Sequence, residues 1–517
     1  MVARSHAGTA PVSSEESSHP SLTPVMPRVG AASRQFLPSW PWIVGLAALL
    51  RALAVPGPLL HDPDTYMHVA AGRWMLAHGA LPFHDPFSYT YAGAPWVPHE
   101  WLAEIVLGGV FDLTGWTGVV LLTAISFALA MAVLMRLLLH RGDPFLALLL
   151  MIPSFGLLLP HLLARPHILA LSLMVVWCGG MIAARDEGRA PALWLLPVMA
   201  LWANLHAGFM FGLAFAAFLG GEAVLWPGER ESRRSNACRW GLFVAAAILI
   251  SLATPNGLAG LLQPFRLVAM PSLQSAVIEW QAPRLPDEPM LELWALGAVA
   301  AGFGFGLRLP LPRLILVVGL LYLAFGHLRH ADLLAIAGPL AIIGSLTPQV
   351  LRILRPLPIA TLTEFFARLT RPASPQATAV ALALAALICL SAIVRPIERA
   401  GDPATPAAAL KAAEALELTG PVFNEYQYGG YLIFKGVPTF IDGRMELYGG
   451  DFLDRYLAAQ RGAEPALSEL LDHYHVAWTL LKPDDGAVMQ FDHLAGWRRT
   501  YTDEQAVIHV RSDPAGQ

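Results

Sequence analysis

Long apolar runs recur between residues 41 and 395, each broken by a polar connection. A run of about 20 apolar residues crosses a bilayer as a helix, because hydrocarbon offers no partner to a free backbone N–H or C=O. About eleven runs fit this reading: 41–60, 116–138, 144–161, 167–184, 191–205, 207–226, 239–254, 290–307, 313–327, 331–347 and 376–395. Composition agrees. Charged residues make up 14% of the 517, where a soluble domain carries about 25%. The expected fold class is an α-helical polytopic membrane protein. A net charge of −4 offers no basis for nucleic-acid binding.

Arginine orients the spans, since cytoplasmic connections are enriched in Lys and Arg. Residues 1–39 are rich in Ser, Pro and Ala and carry Arg4, Arg28 and Arg34. They read as a disordered cytoplasmic tail, without the cleavage pattern of a signal peptide. Every second connection bears arginine again, with Arg136 and Arg141, then Arg185 and Arg189, then Arg230, Arg233, Arg234 and Arg239. Arg308 and Arg313 follow, and last Arg352, Arg355, Arg368 and Arg371. The remaining connections read "HDPD", "HLLARPH", "NLHAG", "TPNG", "IEW" and "HLRHAD". They face outward, and ten of the seventeen histidines fall in them, whereas His140 falls in a cytoplasmic connection. The outer face is therefore the working face. Arg51, inside the first run, fits neither set. Cys178 and Cys389 lie in apolar runs and Cys238 in a polar loop, so no disulfide is expected.

After about Gly401 the apolar runs end. Residues 405–417 read as a helix, and "PVFNEY", "YLIF", "PTFID", "VAWTLL" and "AVIHV" as short strands, with helical patterns near 451–473 and 484–494. The plan has three parts: tail 1–39, membrane domain 40–398 and a small extracytoplasmic α/β domain 399–517. The membrane domain includes a long first outer loop, 61–115, in which 99–115 reads as a partly amphipathic surface helix. No internal repeat is visible.

Candidate functional residues gather on the outer side. Asp62 and Asp64 follow the first run. Acids at a membrane edge lose hydration and mark function by default, although an aspartate here also suits a helix N-cap. His68 stands one turn from Asp64, with Arg73 further along. The same loop, rich in proline, carries His99 and Glu100, while its tryptophans suit an interfacial lid. Arg165 with His167, Asn204 with His206, Arg266, and Arg329 with His330 are candidate phosphate contacts, because arginine's planar fork matches phosphate. An arginine there also snorkels to lipid headgroups. Glu279 in "IEW" is either a second acid of the site or a solvated neighbour of an interfacial tryptophan. Asp62, Asp64 and Glu279 together would offer oxygen ligands to Mg2+ or Mn2+. In the C-terminal region, Tyr426 and Tyr428 are candidate sugar or peptide contacts, and Asp442 with Arg444 is a turn pair or a site pair. No phosphate-binding glycine loop and no G-x-S-x-G elbow occurs.

An acid in the first outer loop, followed by a juxtamembrane helix, resembles the GT-C superfamily of integral membrane glycosyltransferases. "EYQYGGYLIF" is weakly similar to the tryptophan-rich motif of oligosaccharyltransferase catalytic subunits, with both tryptophans missing. "DPDTYMHVAAGR", "ARPH", "WANLHAGF" and "IDGR" resemble a group of bacterial membrane proteins described as glycosyltransferase-like. This resemblance implies sugar transfer from a polyprenyl-phosphate or polyprenyl-diphosphate donor to a glycan, lipid or protein acceptor. The reaction would run at the outer face of a bacterial cytoplasmic membrane. Asp64, or else Asp62, would be the general base of an inverting displacement. Arg165, Arg266 and Arg329 would stabilise the leaving phosphate. Competing readings are a transporter or flippase for an anionic or lipid-linked substrate, a metal-handling protein, and a non-catalytic envelope-assembly protein. Transporters place ionisable groups near mid-span, within inverted repeats, which this chain does not display.

Overall fold

The computed structural model describes residues 36–228, 232–270, 278–354, 360–399 and 402–512. The expectations for the tail with Arg4, Arg28 and Arg34, and those for Arg230 and Arg355, lie outside the described residues.

Each of the eleven apolar runs forms helix. In chain order the helices are α1 (Trp40–Ala54), α2 (Asp64–His78), α3 (Trp101–Arg141), α4 (Pro144–Leu158), α5 (Pro166–Asp186), α6 (Leu195–Leu205) and α7 (Phe209–Leu225). They continue with α8 (Arg233–Ser251), α9 (Gly257–Val268), α10 (Pro289–Val299), α11 (Leu311–Gly326), α12 (Ala331–Leu354), α13 (Ala360–Arg368) and α14 (Pro375–Val394). Among the described residues, four stretches are long and apolar enough to span by themselves: Trp101–Arg141, Pro166–Asp186, Leu328–Leu354 and Pro375–Val394. Six shorter apolar helices accompany them, so the chain is a multi-pass membrane protein. The helix α1 stops at Ala54, short of residue 60, which places Arg51 in an exposed last turn. A cation there complements the helix dipole.

The expected surface helix at 99–115 is the first part of α3. Gly115, at φ 63° and ψ −152°, breaks the 41-residue helix there, in a conformation open to glycine. At 1.5 Å per residue the whole helix is about 60 Å long, twice the hydrocarbon thickness. The part before Gly115 packs against α2 through backbone. A Cβ on Gly72 would fall 1.8 Å from the Glu104 carbonyl oxygen.

The C-terminal region adds α15 (Ala407–Ala415), α16 (Gly429–Phe434), α17 (Gly450–Gln460), α18 (Ala466–His473) and α19 (Gly486–His493) around four strands. These are β1 (Val422–Asn424), β2 (Trp478–Leu480), β3 (Trp497–Thr502) and β4 (Val507–Arg511), in the order β1-β2-β4-β3. The β1–β2 pair is parallel and the others antiparallel. Two strand expectations are corrected. "YLIF" is the helix α16, and a short apolar run buried on every side does not reveal its own period. "PTFID" stays out of the sheet and bridges to the first outer loop instead, with Thr439 paired to Ser88. The strand β3, largely polar and exposed, went unanticipated.

The first outer loop and the C-terminal region share a core. Met67, Ala71 and Met75, one face of α2, pack with Trp96, Phe423, Phe440, Phe452 and Tyr456. Tyr66 packs into a second cluster with Tyr428, Tyr431 and Leu432. The helix α16 meets the start of α2 so closely that a Cβ on Gly430 would lie 2.4 Å from the Pro63 carbonyl oxygen.

Two buried ion pairs that share Arg444 lock the two parts. Arg444 donates from Nε to Asp442 Oδ1 (2.8 Å), from Nη2 to Asp442 Oδ2 (2.7 Å) and from Nη1 to Asp85 Oδ1 (2.6 Å). Phe87 and Trp96 lie 5.1 and 4.8 Å from the guanidinium. Tyr448 and Thr439 hydroxyls donate to Asp442 Oδ2, and the Phe87 and Ser88 amides donate to Asp85. The three charged side chains are almost wholly buried. Removing one partner leaves the others uncompensated, at a cost of about 3–5 kcal/mol. Arg444→Ala should therefore lower the melting temperature of the detergent-solubilised protein by several degrees. An unchanged melting temperature would refute the lock.

Candidate functional site

The helix α2 begins at the edge of the membrane body, and its N-terminus sets the site. Asp62, not Asp64, caps it: Asp62 Oδ1 accepts the Asp64 amide at 2.8 Å. The second Asp62 oxygen takes Arg165 Nη1 at 3.0 Å. Asp64 Oδ2 lies 3.0 Å from Arg165 Nη2, and Glu279 Oε1 lies 2.8 Å from Nη1. Arg165 stands just before α5, Glu279 in a turn after α9, so one guanidinium draws three carboxylates from two other parts of the chain.

Charge arithmetic shapes the proton affinities. Burial pushes the Asp64 carboxyl up, Arg165 opposes this, and Asp62 and Glu279 add to it, leaving Asp64 at about 7. Glu279 is held below its ordinary range, Arg165 being the main cause. Burial pulls His68 down to about 4, so its ring is neutral at pH 7, with Nδ1 3.1 Å from Glu104 Oε1. A carboxyl near 7 is partly ionised at neutral pH and suits proton abstraction.

The C-terminal region reaches this carboxylate. A Cβ on Gly443 would lie 2.1 Å from Asp64 Oδ1, so a side chain there would displace the carboxylate. Gly443 sits between Asp442 and Arg444, and the buried lock therefore fixes the backbone that abuts Asp64.

A cavity of about 330 Å³ opens here. Among the expected residues, Asp64, His68, His99, Glu100, Arg165, His167, His206, Glu279, Arg329, His330 and Arg444 line it. Asp62 stands behind Arg165. The others lie apart. Arg73 pairs with Asp112 on an exposed face. Asn204 accepts from Trp101 Nε1 at 3.0 Å and donates to the Ala253 carbonyl. Arg266 is exposed on α9, Tyr428 is in the C-terminal core, and Asp442 is buried beneath Arg444. Tyr426, expected with Tyr428 as a sugar or peptide contact, and Glu104 of the long loop also line the cavity, whereas sequence reasoning passed over Asp332 and Gly443 as site residues. Glu104, four residues after Glu100 on one helix face, carried a usable signal, whereas Gly443 carried none. Leu171, Met174, Phe211, Phe265 and Val268 form an apolar wall, and Phe265 and Val268 are each 58% exposed at its rim.

Arg329 differs from Arg165. It lies 4.4 Å over the Trp280 ring and has no ion pair among the described residues. The carboxylates expected to hold Mg2+ or Mn2+ do meet, but around Arg165, so the chain itself supplies their shared cation. Among the described residues no group of three His, Cys, Asp or Glu is arranged as a metal-ligand set. The residues as placed do not fit a resident ion.

The arrangement of a helical body, acids after the first helix, a juxtamembrane helix and an α/β region resting on that loop is shared with solved structures. The Archaeoglobus fulgidus oligosaccharyltransferase in its apo form superposes with a TM-score of 0.52 at 12% identity, over 92% of this chain and 75% of that one. Archaeal oligosaccharyltransferase AglB from the same organism, in complex with an inhibitory peptide and a dolichol-phosphate, gives 0.51 at 13%, over 91% and 74%. ArnT from Cupriavidus metallidurans bound to undecaprenyl phosphate gives 0.47 at 14%, over 91% and 98%. No protein-family model and no curated protein matches the sequence. The likeness is one of fold.

Arg165→Met tests the charge cluster. Without the guanidinium the folded-state carboxylates hold protons more tightly than unfolded ones. Stability then falls as pH rises above the ordinary carboxylate range. We expect a loss of about 3 kcal/mol at pH 8, largely recovered at pH 5, read as the melting-temperature difference from the wild type. An equal deficit at both pH values would refute the assignment.

Proposed function

We propose that the protein is a membrane glycosyltransferase that moves a sugar from a polyprenyl-phosphate donor to an acceptor hydroxyl. The observation that carries this reading is one cavity joining a carboxylate poised near neutrality, an arginine with no ion pair among the described residues, and an apolar wall exposed at its rim. The fold shared with a dolichol-phosphate complex supports the same class of donor.

In this reading the lipid tail leaves along Phe265 and Val268, and the donor phosphate rests on Arg329. Asp64 takes the acceptor's proton while the acceptor oxygen attacks the anomeric carbon. The bond from that carbon to the phosphate oxygen breaks, and the electron pair leaves with the phosphate. Its growing charge is met by Arg329, a preorganised cation in a site with little water. A single displacement inverts the anomeric carbon. Arg165 is a positioning residue, because three carboxylates already occupy it. His99, Glu100, Tyr426 and Glu446 form the end nearest the C-terminal region and face the acceptor. The donor lipid, a diphosphate form included, and the identity of the acceptor are left open by these contacts.

Asp64→Asn should lower transfer at least about 100-fold, measured in membranes with a polyprenyl-phosphate sugar. Since a base acts ionised, the wild-type rate should climb with pH through about 7 and level off above. Glu279→Gln removes a negative neighbour that raises the Asp64 pKa, so the ascending limb should move to lower pH. A limb that stays in place, or full activity of Asp64→Asn, removes Asp64 from this role.

The orientation proposed from arginine places the start of α8 and the C-terminal region on opposite sides. Met489 is 68% exposed, and Cys238 is the exposed native thiol. In intact cells an impermeant maleimide should label Met489→Cys in a Cys238→Ser background and should leave Cys238 of the wild type unlabelled until lysis. The reverse pattern would overturn the topology.

A further inference from the structure

The cavity contains more unsatisfied polarity than a proton-transfer site needs. Glu104 Oε2, His161 Nε2, Trp202 Nε1, His330 Nδ1 and Asp332 Oδ1 are buried, and none has a hydrogen-bond partner among the described residues. All five residues line the same cavity. They come from α3, the connection before α5, α6, the turn before α12 and α12 itself, so no single local conformation strands them together. A buried polar atom without a partner destabilises the fold, and five around one space point to a ligand.

Their chemistry narrows its class. The two carboxylate oxygens accept, the indole N–H donates, and an imidazole nitrogen does either according to tautomer. A phosphate accepts only and would face two carboxylates. An ammonium donates only and leaves the indole unmet. Neighbouring hydroxyls donate and accept at several closely spaced points. Of these residues, His330 is next to Arg329 in sequence and Asp332 is one turn on, close enough to act on its charge. A sugar linked to a phosphate on Arg329 is brought to this wall by its own bond length. The cavity's 330 Å³ lies near the low end of small-molecule sites, about 300–1,000 Å³, which suits one sugar unit.

We propose that these five atoms form the recognition subsite for the transferred sugar. The subsite selects a single hydroxylated unit and rejects a uronic acid, whose carboxylate meets Glu104 and Asp332. This rests on the donor reading above.

The test measures binding of full-length protein in nanodiscs to undecaprenyl phosphate, bare or carrying glucose, galactose, mannose or glucuronic acid. At least one neutral hexose should tighten binding about tenfold over the bare lipid, the scale of one or two hydrogen bonds, and glucuronic acid should not. Asp332→Asn and Trp202→Phe should lose that gain while binding bare lipid like the wild type. The subsite is overturned if no hexose gains over the bare lipid, if both variants keep the gain, or if both lose bare-lipid binding as well. Wild-type protein that binds none of these lipids removes the donor reading itself.

Discussion

The buried Arg444 guanidinium carries the architecture. It ties Asp442 of the C-terminal region to Asp85 of the first outer loop, in a place where almost no water screens the charges. A buried ion pair gives little net stability compared with an apolar substitute, but it is intolerant of misregistration. That intolerance is its use here. Gly443 lies between the two members of the pair and presses on Asp64, so a slip of the C-terminal region would reach the site at once. The shared core around Met67, Met75 and Phe440 supplies the apolar burial that holds the two parts together, while the charges set their alignment.

A second charge cluster divides the cavity's labour. Arg165 faces three carboxylates and cannot neutralise them all. Asp64 is the acid left with a high proton affinity, because burial and its two acidic neighbours outweigh the arginine. Arg329, stacked on Trp280, is the cation with positive charge to offer an incoming anion. The two arginines look equivalent in sequence, each beside a histidine at the outer end of a helix. Their surroundings give them different chemistry.

How much was legible follows from what each signal measures. Hydropathy is a local sum, and the eleven apolar runs are helices. Asp64, Arg165, Glu279 and Arg329 were legible as a group because polar residues gathered on one side of the membrane plan. Arg73, Asn204 and Arg266 belonged to the same group by position, yet helix phase turns them elsewhere. "YLIF" and "PTFID" misled for a different reason. Each is short and wholly buried, so its conformation is decided by what it packs against: α2 in one case, the outer loop in the other. The strand β3 escaped because an exposed edge shows no apolar alternation.

By itself, the sequence determined the multi-pass helical body, the gathering of polar residues in alternate connections between its apolar runs, and the long loop after the first run as their centre. These follow from desolvation of backbone and charge, which any short window of residues reports. Only the tertiary structure decided which aspartate caps the helix and which faces the cavity. It also decided that Arg165 is saturated while Arg329 has no ion pair among the described residues, and that Gly443 touches Asp64 across hundreds of residues. Those outcomes depend on distances between segments remote in sequence, and Coulomb and hydrogen-bond energies are set by such distances.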